Sequence, residues 1–433
     1  MAAFLYFLGI VISLTAAVWV LRRTTYSTES QVQLEVSTNP SPISKKLAEA
    51  LPHIVLLHRE KAFRKSINSY WAQQERGVMQ ACIVQPREAS EVAKVIEILR
   101  REYDEQEASL TSRSGDVLFA VRGGACSQLT FYICGLSFFT PRFGLACSNV
   151  LAYEVVLASG KIVTATAQSY SDLWRTLKGG SNNFGVVTRF TVRCFPSTKI
   201  RRGFIYAPNS QSTKALMAFY ESVKRANPKI SGANVDSHAA APITCFTYVQ
   251  RLGIQTVTVH LAYTNPSEEP RNWPMTPAII EMSSTCPPGQ RWSFGTTTIK
   301  NDLPTLLAAR ADLDWTIAMQ PLLPSWAAKG DANVLGVREE TDYALVILSF
   351  SVYWQKAGDD QHVYATIRET IERIEAATAA NGTGHRSRYL NYCAQWQQPL
   401  EGYGEGNLRF LTEVSRKHDP DGLFQRGCTG GFK

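Results

Sequence analysis

Residues 119 to 144 read FAVRGGACSQLTFYICGLSFFTPRFG and set two glycine turns, Gly123-Gly124 and Gly135, with ten residues between them. An apolar run, Leu118 to Val121, ends at the glycine pair. Glycine serves where a chain must turn sharply or let a ligand's phosphate reach its amides. A parallel strand–crossover–strand unit needs about a dozen or more connecting residues. The window therefore offers two ligand-facing turns without room for a full crossover between them.

The flanking sequence says what the turns belong to. ACIVQP (81–86) is a short apolar strand that stops at a proline, and Val92, Val95, Ile96 and Leu99 then recur at helical spacing. LFAVRGG supplies a second strand, so the body opens as strand, helix, strand in the α/β manner. Tyr153 to Leu157 and Ile162 to Ala165 form a hairpin around Gly160. A short helix, SYSDLWRTLK, ends at Gly179-Gly180, and FGVVTRFTVRCF alternates as a strand. Beyond Pro196 come mixed strands (257–262 and 344–352) and a long helix (363–380), read as a second domain over 199–384. The C-terminal part, 385–433, ends in a helix around 407–417 and a DPDG turn.

Several function classes lose support. The net charge of +8 is spread over separated pairs such as Arg100-Arg101 and Arg201-Arg202, so no nucleic-acid footprint is present. Nine cysteines without a CxxC pair, and seven histidines without HExxH, give no metal centre. Neither GxxxxGK[ST] nor GxGxxG occurs, which removes the usual signals for nucleoside-triphosphate hydrolysis and for a Rossmann site. LKGGSNNFGVV is either a loop closing a helix onto a strand or a third set of ligand-facing amides.

Ala2 to Leu21 is an uncharged apolar run of 20 residues followed by Arg22-Arg23. It reads as an N-terminal apolar helix, residues 1–23, serving as a membrane anchor or a cleaved signal segment. The flanking arginines favour an anchor that leaves the body on the cytoplasmic face. The sequon Asn381-Gly382-Thr383 would carry sugar, making a glycoprotein, only if the body is lumenal or secreted. Residues 24–68 read as a polar tether and a helix leading into the body.

Read together, ACIVQPREASEVAKVIEILR, FAVRGG, GLSFFTPRFGLACSNVLAYEVVLASGKIVTA, DLWRTLKGGSNNFGVVTRFTV and YLNY…YGEGNLRFLTEVSRKHDPDGLFQ resemble the FAD-linked oxidases of the vanillyl-alcohol oxidase (PCMH-type) superfamily, in their berberine-bridge-enzyme-like branch. The resemblance implies an α+β, two-domain PCMH-type FAD-binding fold. Its α/β flavin domain would be split in sequence, 69–198 with 385–433, and the substrate domain of antiparallel sheet and helices would lie at 199–384. It places Arg122, Gly123, Gly124 and Cys126 at the FAD pyrophosphate turn, with Gly135, Ser137 and Gly144 continuing that wall. Gly180, Asn183, Gly185 and Val187 would run along the cofactor. Tyr389, Asn391 and Tyr392 would return near the ring, with Tyr389 as candidate catalytic base; both tyrosines could equally be core aromatics bonded at the rim.

The resemblance implies an oxidoreductase that uses FAD, a small organic substrate and dioxygen, in secondary metabolism. Two departures qualify it. Where covalent members carry a histidine after the glycine turn this chain has Cys126, so FAD is expected to bind non-covalently. Where the family has a long stretch between RGG and GLSFF, only ACSQLTFYIC remains. Either the chain is a shortened product, or it is a natural variant that holds FAD by the surviving turns. Removing central strands would leave sheet edges unpaired.

Overall fold

The computed structural model describes residues 41–108, 118–122, 135–196, 200–240, 242–249, 253–265, 290–302, 316–337 and 343–428. The apolar run Ala2 to Leu21, and Gly123, Gly124 and Cys126, lie outside the described residues. Among the described residues no helix is long and apolar enough to cross a membrane.

Helix α1 (Pro42–Ala50) starts where Ser41 Oγ accepts the Ser44 N–H at 3.3 Å and proline takes the first turn, two ordinary N-terminal devices. Strand β1 (Val55–Leu56) follows, then α2 (Lys61–Asn68), which buries Phe63 and Ile67. Strand β2 (Ile83–Val84) pairs antiparallel with β1, inside the stretch expected to be a strand. Helix α3 (Ala89–Ala108) bears out the periodicity: Ala93, Ile96, Leu99 and Tyr103 are buried against Leu423, Phe424 and Cys428. The expected strand at Leu118 to Val121 is instead a single bridge, Phe119 parallel to Cys428, with the Phe119 N–H donating to the Gly427 carbonyl at 3.0 Å.

Strands β3 (Val150–Val156) and β4 (Ile162–Thr166) form the expected antiparallel hairpin, turned at Gly160 with φ of 78°. Helix α4 (Ser171–Thr176) leads to β5 (Val186–Val192), which pairs with the other edge of β3, giving the order β4-β3-β5. Tyr153, Val155, Val163, Leu173 and Phe184 form the core beneath this sheet.

A second, seven-stranded sheet is antiparallel throughout, in the order β12-β9-β11-β10-β7-β8-β6. Its strands are β6 (Arg201–Pro208), β7 (Ile243–Val249), β8 (Ile254–Tyr263), β9 (Arg291–Lys300), β10 (Thr316–Leu322), β11 (Leu345–Trp354) and β12 (Gly384–His385). Helices α5 (Ser212–Arg225) and α6 (Asp360–Ala380) cover one face. In β11, Val346, Leu348 and Phe350 meet Leu216, Phe219, Ile367 and Ile371, while Leu345 and Ile347 turn the other way onto Leu145 and Cys147. Burial on both faces is why this strand reads as an almost unbroken apolar run.

Two features fix the sheets against each other. The stretch after the one-turn helix Pro324–Ala327 docks on residues 141–150: Asp331 N–H donates to the Ser148 carbonyl at 2.9 Å, Asn333 Nδ2 to Ser148 Oγ at 3.0 Å, and Lys329 Nζ to the Pro141 carbonyl. Lys178, buried in the LKGGSNN stretch, donates to the Val150 carbonyl at 2.9 Å and meets Asp331 at 3.3 Å. Helices α7 (Glu405–His418) and α8 (Leu423–Arg426) then return the chain to the first half, where Leu411 and Val414 join the β3 core.

Candidate active site

The window that opened the sequence reading meets the C-terminal YLNY element. Gly135 is buried, and a methyl group added there would lie 1.7 Å from Tyr389 Oη and 2.9 Å from Asn391 Nδ2. Only glycine allows this approach. The next residue, Leu136, donates its N–H to Tyr389 Oη at 2.9 Å, and Asn391 Nδ2 donates to the same oxygen at 3.2 Å. Two donors thus converge on one phenol oxygen and fix its position. Ser137 accepts the Phe139 N–H at 3.2 Å and donates its own N–H to Thr140 Oγ1 at 2.7 Å, so its part in this geometry is to shape the turn.

Tyr392 lies 4.9 Å from Tyr389, edge to face, and its ring is stacked near Phe294 of β9. Its hydroxyl accepts from Gln320 Nε2 at 2.9 Å. Burial pushes the Tyr392 phenol up to about 12, against a smaller opposing pull from Gln320, so it stays neutral at ordinary pH. The neighbouring Cys393 thiol is also pushed up to about 12, first by burial.

Gln320 pairs with Ile347 across β10 and β11, which places it on the sheet face turned away from α5 and α6. Farther along the sheet, His260 stacks on Phe204 at 4.5 Å and meets Phe138 edge to face at 5.3 Å. Arg202 lies 3.3 Å from His260 Nε2 and 4.4 Å from the Phe138 ring centroid. Burial, with Arg202 second, lowers the His260 pKa to about 4, so its ring is neutral. Gln320, His260 and Arg202 escaped the sequence reading. Alternation along β6 and β8 was the available signal, but only the strand register puts these side chains on one face.

The other anticipated residues fall elsewhere. Arg122 stacks over Tyr70 at 3.7 Å and donates to the Ser66 carbonyl and to Ser69 Oγ, each at 3.0 Å. These partners are neutral, and among the described residues Arg122 makes no ion pair. Gly144, with φ of 81°, packs on the Lys329 carbonyl. Gly180 packs among Phe184 and Leu411, and Gly185 on the Val156 carbonyl. Asn183 is buried and donates to the Gly180 carbonyl at 2.6 Å, while its Oδ1 accepts from Gln425 at 3.0 Å. Val187 pairs with Val155. Gly180 and Asn183 join the loop to the returning helices and Gly185 and Val187 seat it on β3, whereas Gly135, Tyr389, Asn391 and Tyr392 come together as one cluster.

Comparison with known proteins places this geometry. No protein-family model matches the chain. It is similar to an FAD-dependent monooxygenase of Aspergillus calidoustus, 29% identical over 69% of this chain and 62% of the relative, so it spans less than two thirds of that protein. It is also similar to an FAD-dependent monooxygenase of Fusarium proliferatum, 26% identical over 84% of this chain and 87% of the relative. The fold matches 6-hydroxy-D-nicotine oxidase of Arthrobacter nicotinovorans, with a TM-score of 0.58 at 16% identity over 86% of this chain and 96% of that one. It matches berberine bridge enzyme with a TM-score of 0.59 at 11% identity, over 90% of this chain and 100% of that one. The mixed helix and sheet fold thus resembles that of the PCMH-type, berberine-bridge-enzyme-like oxidases to which the sequence resemblance pointed. The relatives and structural neighbours are FAD-linked oxidoreductases.

Proposed function

We propose that this chain, which has the fold of the berberine-bridge-enzyme-like FAD oxidases, is an FAD-dependent oxidoreductase that acts on a small organic substrate and holds its cofactor non-covalently. One observation carries the reading. The glycine wall and the YLNY element, more than 250 residues apart in sequence, meet so that the Leu136 N–H and Asn391 Nδ2 both point at Tyr389 Oη.

The donor set fits the cofactor. Arg122, whose bonds here go to neutral oxygens, supplies charge for a pyrophosphate, and the face around Tyr392, Phe294 and Phe138 suits a flat ring. When bound, FAD supplies a hydride acceptor that dioxygen can reoxidise. Tyr389 takes the substrate proton at Oη, which the two N–H donors hold in place. Tyr392, neutral and tied to Gln320, keeps its neighbour in place. His260 offers a neutral, aromatic-flanked surface farther along the sheet. The fungal relatives support a role in secondary metabolism, and the Ala2 to Leu21 run supports an N-terminal membrane anchor.

A turnover assay tests the role of Tyr389. Tyr389→Phe should lower kcat by about 10²-fold or more, the usual contribution of a positioned base, with FAD content unchanged. Unchanged kcat would remove Tyr389 from the chemistry.

A second reading, a shortened or catalytically silent member of the fold with impaired FAD binding, is favoured by one feature of β5. Phe190 and Val192 pair with the core residues Tyr153 and Val150, yet they are 37% and 52% exposed. Among the described residues no strand pairs with the outer edge of β5.

A further inference from the structure

A small cavity lies directly behind the segment that carries Tyr389. It measures about 40 Å³ and is walled on one side by Leu145, Leu322, Leu335, Val337 and Ile347. Tyr389, Asn391 and Tyr403 line it as well, with two aliphatic hydroxyls, Thr298 on β9 and Ser387 just after β12. Both residues are buried, 1% and 5% exposed, and among the described residues neither Thr298 Oγ1 nor Ser387 Oγ has a hydrogen-bond partner. Neighbouring polar groups differ in this respect. Arg388 makes a two-pronged ion pair with Glu375, at 3.2 and 3.0 Å, and Tyr403 Oη donates to the Gly179 carbonyl at 2.9 Å.

Buried hydroxyls without a partner lose their hydration and gain nothing in return, so native proteins supply them with a protein group or an ordered water. A water molecule needs about 10–15 Å³ of such volume and two to four polar partners. Here there is space for about three waters, and the two hydroxyls stand on different elements. Thr298 is held in register by Ile347 on one side and His385 on the other, whereas Ser387 belongs to the irregular stretch leading to Tyr389.

We infer that this cavity is a water-binding site, in which a small ordered cluster bonded to Thr298 Oγ1 and Ser387 Oγ bridges β9 to the segment bearing Tyr389. The apolar wall confines the cluster and the hydroxyls anchor it at two points. Its occupant is water, a neutral donor and acceptor, because the polar lining is hydroxyls, the Asn391 amide and an Arg388 already paired with Glu375, with no uncompensated charge.

The sign of a stability change tests this. In the full-length protein, Thr298→Val removes the hydroxyl at nearly constant volume. If water bonds it, the variant leaves the cluster short of an anchor, and the melting midpoint falls by about 1–3 °C. A dry cavity reverses the sign, since the substitution then removes an orphaned hydroxyl and the midpoint rises. Crystals of the unaltered chain give an independent readout: discrete density within hydrogen-bond reach of both hydroxyls, and no xenon uptake under pressure, is the expected result. Xenon filling the cavity, or a raised midpoint in Thr298→Val, would overturn the proposal.

Discussion

At the scale of single residues, Gly135 decides whether the cluster can form. A methyl group there would collide with the Tyr389 ring, whose own hydroxyl is tied back to the Leu136 amide. Gly135→Ala should therefore displace Tyr389 and cost about 1–3 kcal/mol, readable from the urea midpoint. His260 sets a pH response. Its pKa falls from 6.5 to about 4 in the folded protein, so folding favours the neutral ring. Stability from this residue is fully present above pH 6.5 and drains away as pH falls to about 4, a loss on the order of 3 kcal/mol. Urea unfolding across that window, compared with His260→Gln, checks it; the variant should lose less stability over the same range.

At the scale of elements, exposure separates the two sheets. Ile347 is fully buried between β10 and the Leu145 segment, whereas Val192 stands at an uncovered edge. Ile347→Ala should cost about 2–5 kcal/mol and Val192→Thr less than about 0.5 kcal/mol, measured in parallel by chemical unfolding. The elements with strong periodicity were legible in the sequence: α3 from Ile96 and Leu99, β11 from its apolar run, and the β3–β4 hairpin from Gly160. Capping was not. DPDG read as a turn, yet the buried Asp419 carboxylate accepts the Leu423 and Phe424 amides at 2.9 and 2.8 Å and so starts α8. Burial nonetheless holds its pKa above the ordinary value. The strand expected at Leu118 to Val121 is a single bridge whose partner, Cys428, comes from the far end of the chain, a pairing that local sequence does not show.

At the scale of the whole molecule, the site combines the Gly135 and YLNY segments with one face of the seven-stranded sheet. Motif order made one half of it legible, since the glycine wall and YLNY could be paired by resemblance. The rest, with Gln320, His260 and Arg202 on the face of the larger sheet, depends on register across four strands, β10, β7, β8 and β6, which local sequence does not encode. The chain is also short beside some relatives, spanning 62% of the Aspergillus protein. The exposed inward face of β5 is where such a difference would be felt.

The central claim is that the surviving turns still hold FAD, and titration of the purified protein with FAD tests it most directly. Uptake of one FAD per chain, with a protein-bound flavin spectrum and complete release of the flavin on acid denaturation, is the predicted result. A colourless protein that takes up no added FAD would contradict the account.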